Sequence, residues 1–129
     1  MYRDTVNAIA ILRSTGQELF TTSQNLIEFW RSATRPAEKN GLGLSIAEAE
    51  IELQRLEELF PVLPDVPEIY PEWRRLIIEY GVIGVNVHDA RLVAVMLVNR
   101  LTHILTFNTK DFTRYSTEIA PVHPASIGL

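Results

Sequence analysis

Asp89, Asp111, Glu28 and Asn108 are the side chains whose type and placement could do chemistry in this chain. Asp89 and Asp111 lie within the run N-V-H-D-A-R-L-V-A-V-M-L-V-N-R-L-T-H-I-L-T-F-N-T-K-D-F, residues 86 to 112. There an acid opens an apolar helix, the helix passes into an apolar strand, and a second acid waits past the strand's end. In open α/β sheets ligands gather outside the carboxyl ends of strands, where loops and helix starts converge. Two carboxylates meeting at such a rim offer the hard oxygen ligands that a divalent cation prefers. Glu28, about a turn into the helix after an earlier strand, is a third acid in a suitable place.

Each of these residues also has a structural reading. Asp89 follows Asn86 by three positions and fits a first-turn carboxylate that complements the helix dipole, worth ~0.3–1 kcal/mol. Asp111 suits the cap of a one-turn helix over Phe112 to Tyr115, and Asn108 an Asx turn. Glu28 shares a side with Arg31 and Ser32, where an exposed ion pair is the default. His88, His103 and His123 have no metal-ligand spacing, and Trp30 and Trp73 take core positions of their helices.

The elements that must position these residues follow from periodicity. Val6, Ile9 and Ala10 with Tyr2 predict a helix over Tyr2 to Arg13, stopped by Gly16; Asp4-Thr5-Val6-Asn7 lies inside it. Glu18 to Thr22 reads as a short strand. Ser23 is the expected cap of a second helix whose Leu26, Phe29, Trp30 and Ala33 share a face, and Pro36 ends it. Gly41 and Gly43 mark a loop, after which Ser45 and Glu48 form a capping box for a third helix reaching Leu59. Phe60 to Leu63 is a second strand candidate. A fourth helix uses Ile69, Trp73, Leu76, Ile77 and Tyr80, with Pro71 tolerable near its first turn. The fifth, Val87 to Arg100, is apolar on nearly every side and so is expected to be buried. His103 to Phe107 and Ile119 to Val122 complete the strands. Alternation of this kind predicts an α/β class: a three-layer α/β/α sandwich around a parallel sheet, in one domain spanning 1–129.

Composition narrows the function classes. A chain of 129 residues can bury roughly 65–70% of the surface its unfolded form exposes. With no cysteine, disulfides, thiolate metal sites and cysteine nucleophiles are excluded. The apolar run Leu92 to Val98 is far short of the ~20 residues of a membrane helix, and no leader opens the sequence, so a cytoplasmic protein is expected. The net charge of −4 argues against a broadly basic surface. Arg31, Arg35, Arg74, Arg75, Arg91, Arg100 and Arg114 are candidates for a local basic strip.

Taken in order, S-Q-N-L-I-E-F-W (23–30), A-T-R-P (33–36), G-L-G-L-S (41–45), W-R-R-L (73–76), G-V-N-V-H-D-A-R-L-V-A (84–94) and L-T-F-N-T-K-D-F (105–112) resemble the PIN-domain family, and within it the VapC-type toxin ribonucleases. The resemblance implies a metal-dependent endoribonuclease. It implies Glu28, Asp89 and Asp111 as ligands for Mg²⁺ or Mn²⁺, and Asn108 as a catalytic polar residue beside the last acid. It further implies an RNA substrate, a cognate antitoxin and a homodimer as a candidate assembly. Such domains open with a strand ending in an acid, and this sequence starts inside the helix that follows. The expectation is therefore a PIN-like domain incomplete at its N-terminus, weak or inactive as written; the alternative is a non-catalytic scaffold binding an antitoxin-like partner or itself.

Overall fold

A computed structural model describes residues 2–128. The chain divides into two compact units, Leu19–Asp65 and a second formed by Met1–Glu18 with Val66–Leu129. Both are α/β, with parallel strand pairing as expected. The strands are shorter than their sequence runs, and they form two two-stranded ladders, one in each unit.

In the unit Leu19–Asp65, β1 (Thr21–Thr22) pairs with β2 (Val62–Leu63), Thr21 opposite Val62 and Thr22 opposite Leu63. Pro61 and Pro64 flank β2 and have no N–H to extend the ladder, which explains why it stops at two residues. Helix α2 (Ser23–Thr34) follows β1 directly. Its cap is Thr22, where Ser23 was expected. Thr22 keeps an extended backbone (φ −127°, ψ 161°), and its hydroxyl accepts the Asn25 N–H at 3.0 Å, while Asn25 Oδ1 accepts the Thr22 N–H. Being the last strand residue places that hydroxyl over the first turn, whereas Ser23 is already helical and donates to Asp65 Oδ2 at 2.6 Å.

Helix α2 ends at Thr34 because Arg35 precedes a proline and is held extended at ψ 138°. The turn beyond it requires glycine at position 41. A Cβ there would lie 1.9 Å from the Arg35 carbonyl oxygen. Helix α3 (Ile46–Leu59) starts with the expected capping box between Ser45 and Glu48. The Ser45 backbone N–H and then its hydroxyl hold the Glu48 carboxyl below its ordinary range. Helices α2 and α3 pack together, and each buries an alanine completely, Ala33 and Ala49.

The larger unit is built on helices α1 (Tyr2–Ser14), α4 (Ile69–Glu79) and α5 (Val87–Val98) and on a ladder of β3 (His103–Leu105) with β4 (Ala120–Val122). Asp4 to Asn7 lies within α1. The β3–β4 register puts Ile104 opposite Pro121, so the centre of β4 lacks an N–H. Helix α5 buries Ala90, Val93, Ala94, Val95 and Met96 and packs against α4. Each large apolar side chain so buried contributes about 1.5–3 kcal/mol. The helix stops at Val98, two residues before the expected end. Asn99 folds its side-chain amide onto the Val95 carbonyl at 2.8 Å, and Arg100 turns into the left-handed region at φ 58°.

Candidate functional site

Asp89 lies in the first turn of α5 and is half-buried. Asn86 is the N-cap residue without a side-chain cap bond, so Asp89 takes the expected first-turn position, where the N-terminal dipole favours an acid. The buried face of α5 fixes the backbone that carries Asp89.

Asp111 is exposed inside a 3-10 helix, Thr109–Tyr115, rather than capping a helix that begins after it. The turn starts earlier because Thr106 Oγ1 accepts the Asn108 N–H at 3.1 Å and Asp111 N–H returns to the Asn108 carbonyl at 3.0 Å. Thr106 thus makes the turn contact that Asn108 was expected to supply, and the Asn108 side chain makes no cap bond. Phe112 and Tyr115 are the buried anchors of this segment, which packs on both α5 and β4.

Tyr115 connects the two acid-bearing elements. It is 1% exposed. Burial pushes its hydroxyl above the ordinary phenol range; the Arg114 charge opposes this and the Asp89 charge adds to it. Its ring meets Tyr80 edge-on at a centroid distance of 5.0 Å. Tyr80 donates its hydroxyl to Glu118, just beyond the 3-10 helix, and Arg75 of α4 reaches the other Glu118 oxygen at 2.6 Å. Arg75 Nε also bonds Glu72 at 2.9 Å, and its remaining donors include one to Glu79.

Burial alone would raise the Glu118 carboxyl, but the Arg75 and Tyr80 hydrogen bonds together with the Arg75 charge outweigh it, and Glu118 stays below its ordinary range. Glu72 first, then Glu118, holds the Arg75 guanidinium above its already high value. From sequence Arg75 is only one candidate for a basic strip; bonded to three carboxylates, it is a clamp between α4 and the end of the acid-bearing segment. The Glu72, Arg75 and Glu79 spacing was a visible signal for the local pairs. Glu118 carried no such signal, since its contact with Arg75 joins distant parts of the chain.

Glu28 belongs to the other unit. It sits on the solvent face of α2 with its side chain 62% exposed, 3.8 Å from Arg31. The expected exposed ion pair is therefore present.

The donor chemistry of Asp89 and Asp111 suits Mg²⁺ or Mn²⁺, which take oxygen ligands and retain waters beside one or two carboxylates. Among the described residues no group of three or more histidine or acidic side chains gathers to hold a metal ion. The fit is thus that of two carboxylates carried on packed elements, Asp89 on α5 and Asp111 on the 3-10 helix. Two of the histidines have partners of their own: His103 Nδ1 pairs with Thr102 Oγ1 at 2.7 Å, and His123 Nδ1 accepts the Ala125 N–H. No described helix is long and apolar enough to cross a membrane.

Comparison with known proteins agrees with the α/β fold. The PIN domain family model matches residues 1–118. A chain in the structure of VapBC-1 from nontypeable Haemophilus influenzae is similar in fold, with a TM-score of 0.69 at 18% identity, covering 93% of this chain and 87% of that one. No curated protein sequence matches.

Proposed function

The chain belongs to the PIN domain family, and from that premise we propose that it is a metal-dependent endoribonuclease of the VapC toxin type, hydrolysing RNA phosphodiester bonds. The observation that carries the reading is the pairing of elements: α5 with Asp89 and the 3-10 helix with Asp111 pack together, and the 3-10 segment is tied to α4 through Tyr115 on Tyr80 and Glu118 on Arg75 and Tyr80. In this reading Asp89 and Asp111 hold Mg²⁺ or Mn²⁺, Asn108 positions water or a phosphate oxygen, and Glu28 is the third acid that the family resemblance implies as a ligand. The bound ion supplies charge stabilisation at the phosphate and lowers the pKa of an attacking water. The protein's own part is to keep carboxylates on rigid backbone, so that little reorganisation accompanies binding.

The partners that accompany this reading are an RNA strand, an antitoxin, and a second copy of the chain in a homodimer; the setting is the cytoplasm. The test is cleavage of single-stranded and structured RNA with Mg²⁺, with Mn²⁺ and with EDTA. Cutting that requires the cation and is lost in Asp89→Asn and Asp111→Asn supports the proposal. Cutting that persists in EDTA, or in both variants, contradicts it.

A second reading has its own observation. Ile83 and Val85, in the segment entering α5, are 78% and 79% exposed. A non-catalytic PIN scaffold could use such apolar surface to bind an antitoxin-like partner or itself. Partner binding that survives loss of the carboxylates, in a chain that cuts no RNA, would favour it.

A further inference from the structure

Beside the first turns of α4 and α5 lies a groove of about 400 Å³, within the range of small-ligand sites. Its walls include Val66, Pro67, Tyr70, Trp73 and Arg91. Tyr70 is exposed, and its ring centroid stands 5.8 Å from that of Trp73 with the planes tilted by 32°. The Trp73 indole N–H is already given to the Val87 carbonyl at 2.9 Å, so what this side chain offers the groove is ring surface. That hydrogen bond also ties α4 to the residue that opens α5. Among the described residues that wall the groove none is a carboxylate, although the chain carries 16 acids against 12 lysines and arginines.

Two aromatic rings with an arginine suit a ligand that joins a flat π system to a negative charge. A nucleotide unit has that chemistry. Aromatic stacking is tolerant of base identity, and a guanidinium matches the geometry of phosphate oxygens. Arg91 is two residues along α5 from Asp89, so a strand held here would be anchored on the same helix as the candidate metal ligand.

We infer that this groove is a subsite for one unstacked base of the RNA strand, with Tyr70 and Trp73 against the base and Arg91 on the adjoining phosphate. The inference rests on the RNA reading above, and it can fail separately from the nuclease chemistry.

Fluorescence anisotropy in EDTA, where metal-dependent cutting does not intrude, compares a short oligouridylate with an abasic strand of equal length and charge. The wild-type chain is expected to prefer the intact strand by roughly 5- to 100-fold, the range for one stacked base. Tyr70→Ala removes most of that preference and Tyr70→Phe keeps it. Arg91→Gln weakens both strands and lowers the slope of log affinity against log salt by about one. Tyr70 is exposed, so its variants spare the core.

Equal affinity for the two strands, unchanged preference in Tyr70→Ala, or binding of neither strand overturns the subsite. Cleavage of the oligouridylate with Mg²⁺ or Mn²⁺ separates the two claims. A chain that cuts while Tyr70→Ala binds like wild type loses the subsite and keeps the nuclease. One that shows the base preference and never cuts keeps the subsite and loses the nuclease.

Discussion

Helices α5 and α2 each carry a candidate acid, and they hold it in opposite ways. Asp89 stands half-buried on a helix whose following turns are almost wholly interior, and its charge is felt by the buried Tyr115. Glu28 stands in water on an amphipathic helix, paired only loosely with Arg31. An exposed pair of that kind contributes about 0–1 kcal/mol. The difference teaches that acid identity and helix position are weak guides to chemistry. What distinguishes a preorganised carboxylate is the packing of the backbone beneath it and the polar network behind it.

The contrast can be broken most forcefully at the anchors. Tyr115→Ala is expected to cost about 3–5 kcal/mol in urea unfolding, as for other large aromatic truncations. Ile27→Ala on the exposed side of α2 should stay within ~0.5 kcal/mol. Comparable losses would erase the distinction.

Next in size is chemistry. Asp89→Asn is expected to lower metal-dependent RNA cleavage about 100-fold or more, the scale of several kcal/mol of charge stabilisation. Melting, followed by circular dichroism, should change little. Glu28→Gln should reduce cleavage less, because its backbone and side chain are less constrained.

The clamp gives a smaller, pH-dependent effect. Glu118 has its pKa lowered in the folded state, so its contribution to stability is present above the unfolded value near 4.5 and is lost as pH falls through the lower folded value. Glu118→Gln should therefore lower the melting temperature at neutral pH, by the equivalent of about 1 kcal/mol after allowing for the partial exposure of Arg75. It should also flatten the acid limb below the unfolded value near 4.5. An unchanged acid limb would show that the network is incidental.

On the α2 side, Thr22→Ala should cost about 1 kcal/mol as the true N-cap, and Ser23→Ala less than half of that. The reverse order would restore the cap expected from sequence.

Periodicity and punctuation made much of this legible in the chain itself. The five helices, the Ser45 and Glu48 box, the stop at Pro36 and the burial of α5 are all local consequences of side-chain type. The ladders were harder to read, because a strand's length depends on the N–H groups of its partner, and prolines at 61, 64 and 121 decide that from elsewhere in the chain. Asp89 and Asp111 stood out as candidates from their neighbours alone. The roles of Tyr115, Tyr80 and Glu118 did not, since they arise from contacts between segments far apart in sequence. Trp73 reads as a core position of its helix from sequence, and only the fold sets Arg91 of the next helix beside it and Tyr70 in one groove.

Binding of Mn²⁺ tests the central claim most directly, since it needs neither the right RNA nor turnover. Titration followed by electron paramagnetic resonance should show the wild-type chain taking up the ion, with Asp89→Asn and Asp111→Asn each weakening that uptake at least ~10-fold. Equal uptake by the wild type and both variants would contradict the assignment of these carboxylates as the metal site.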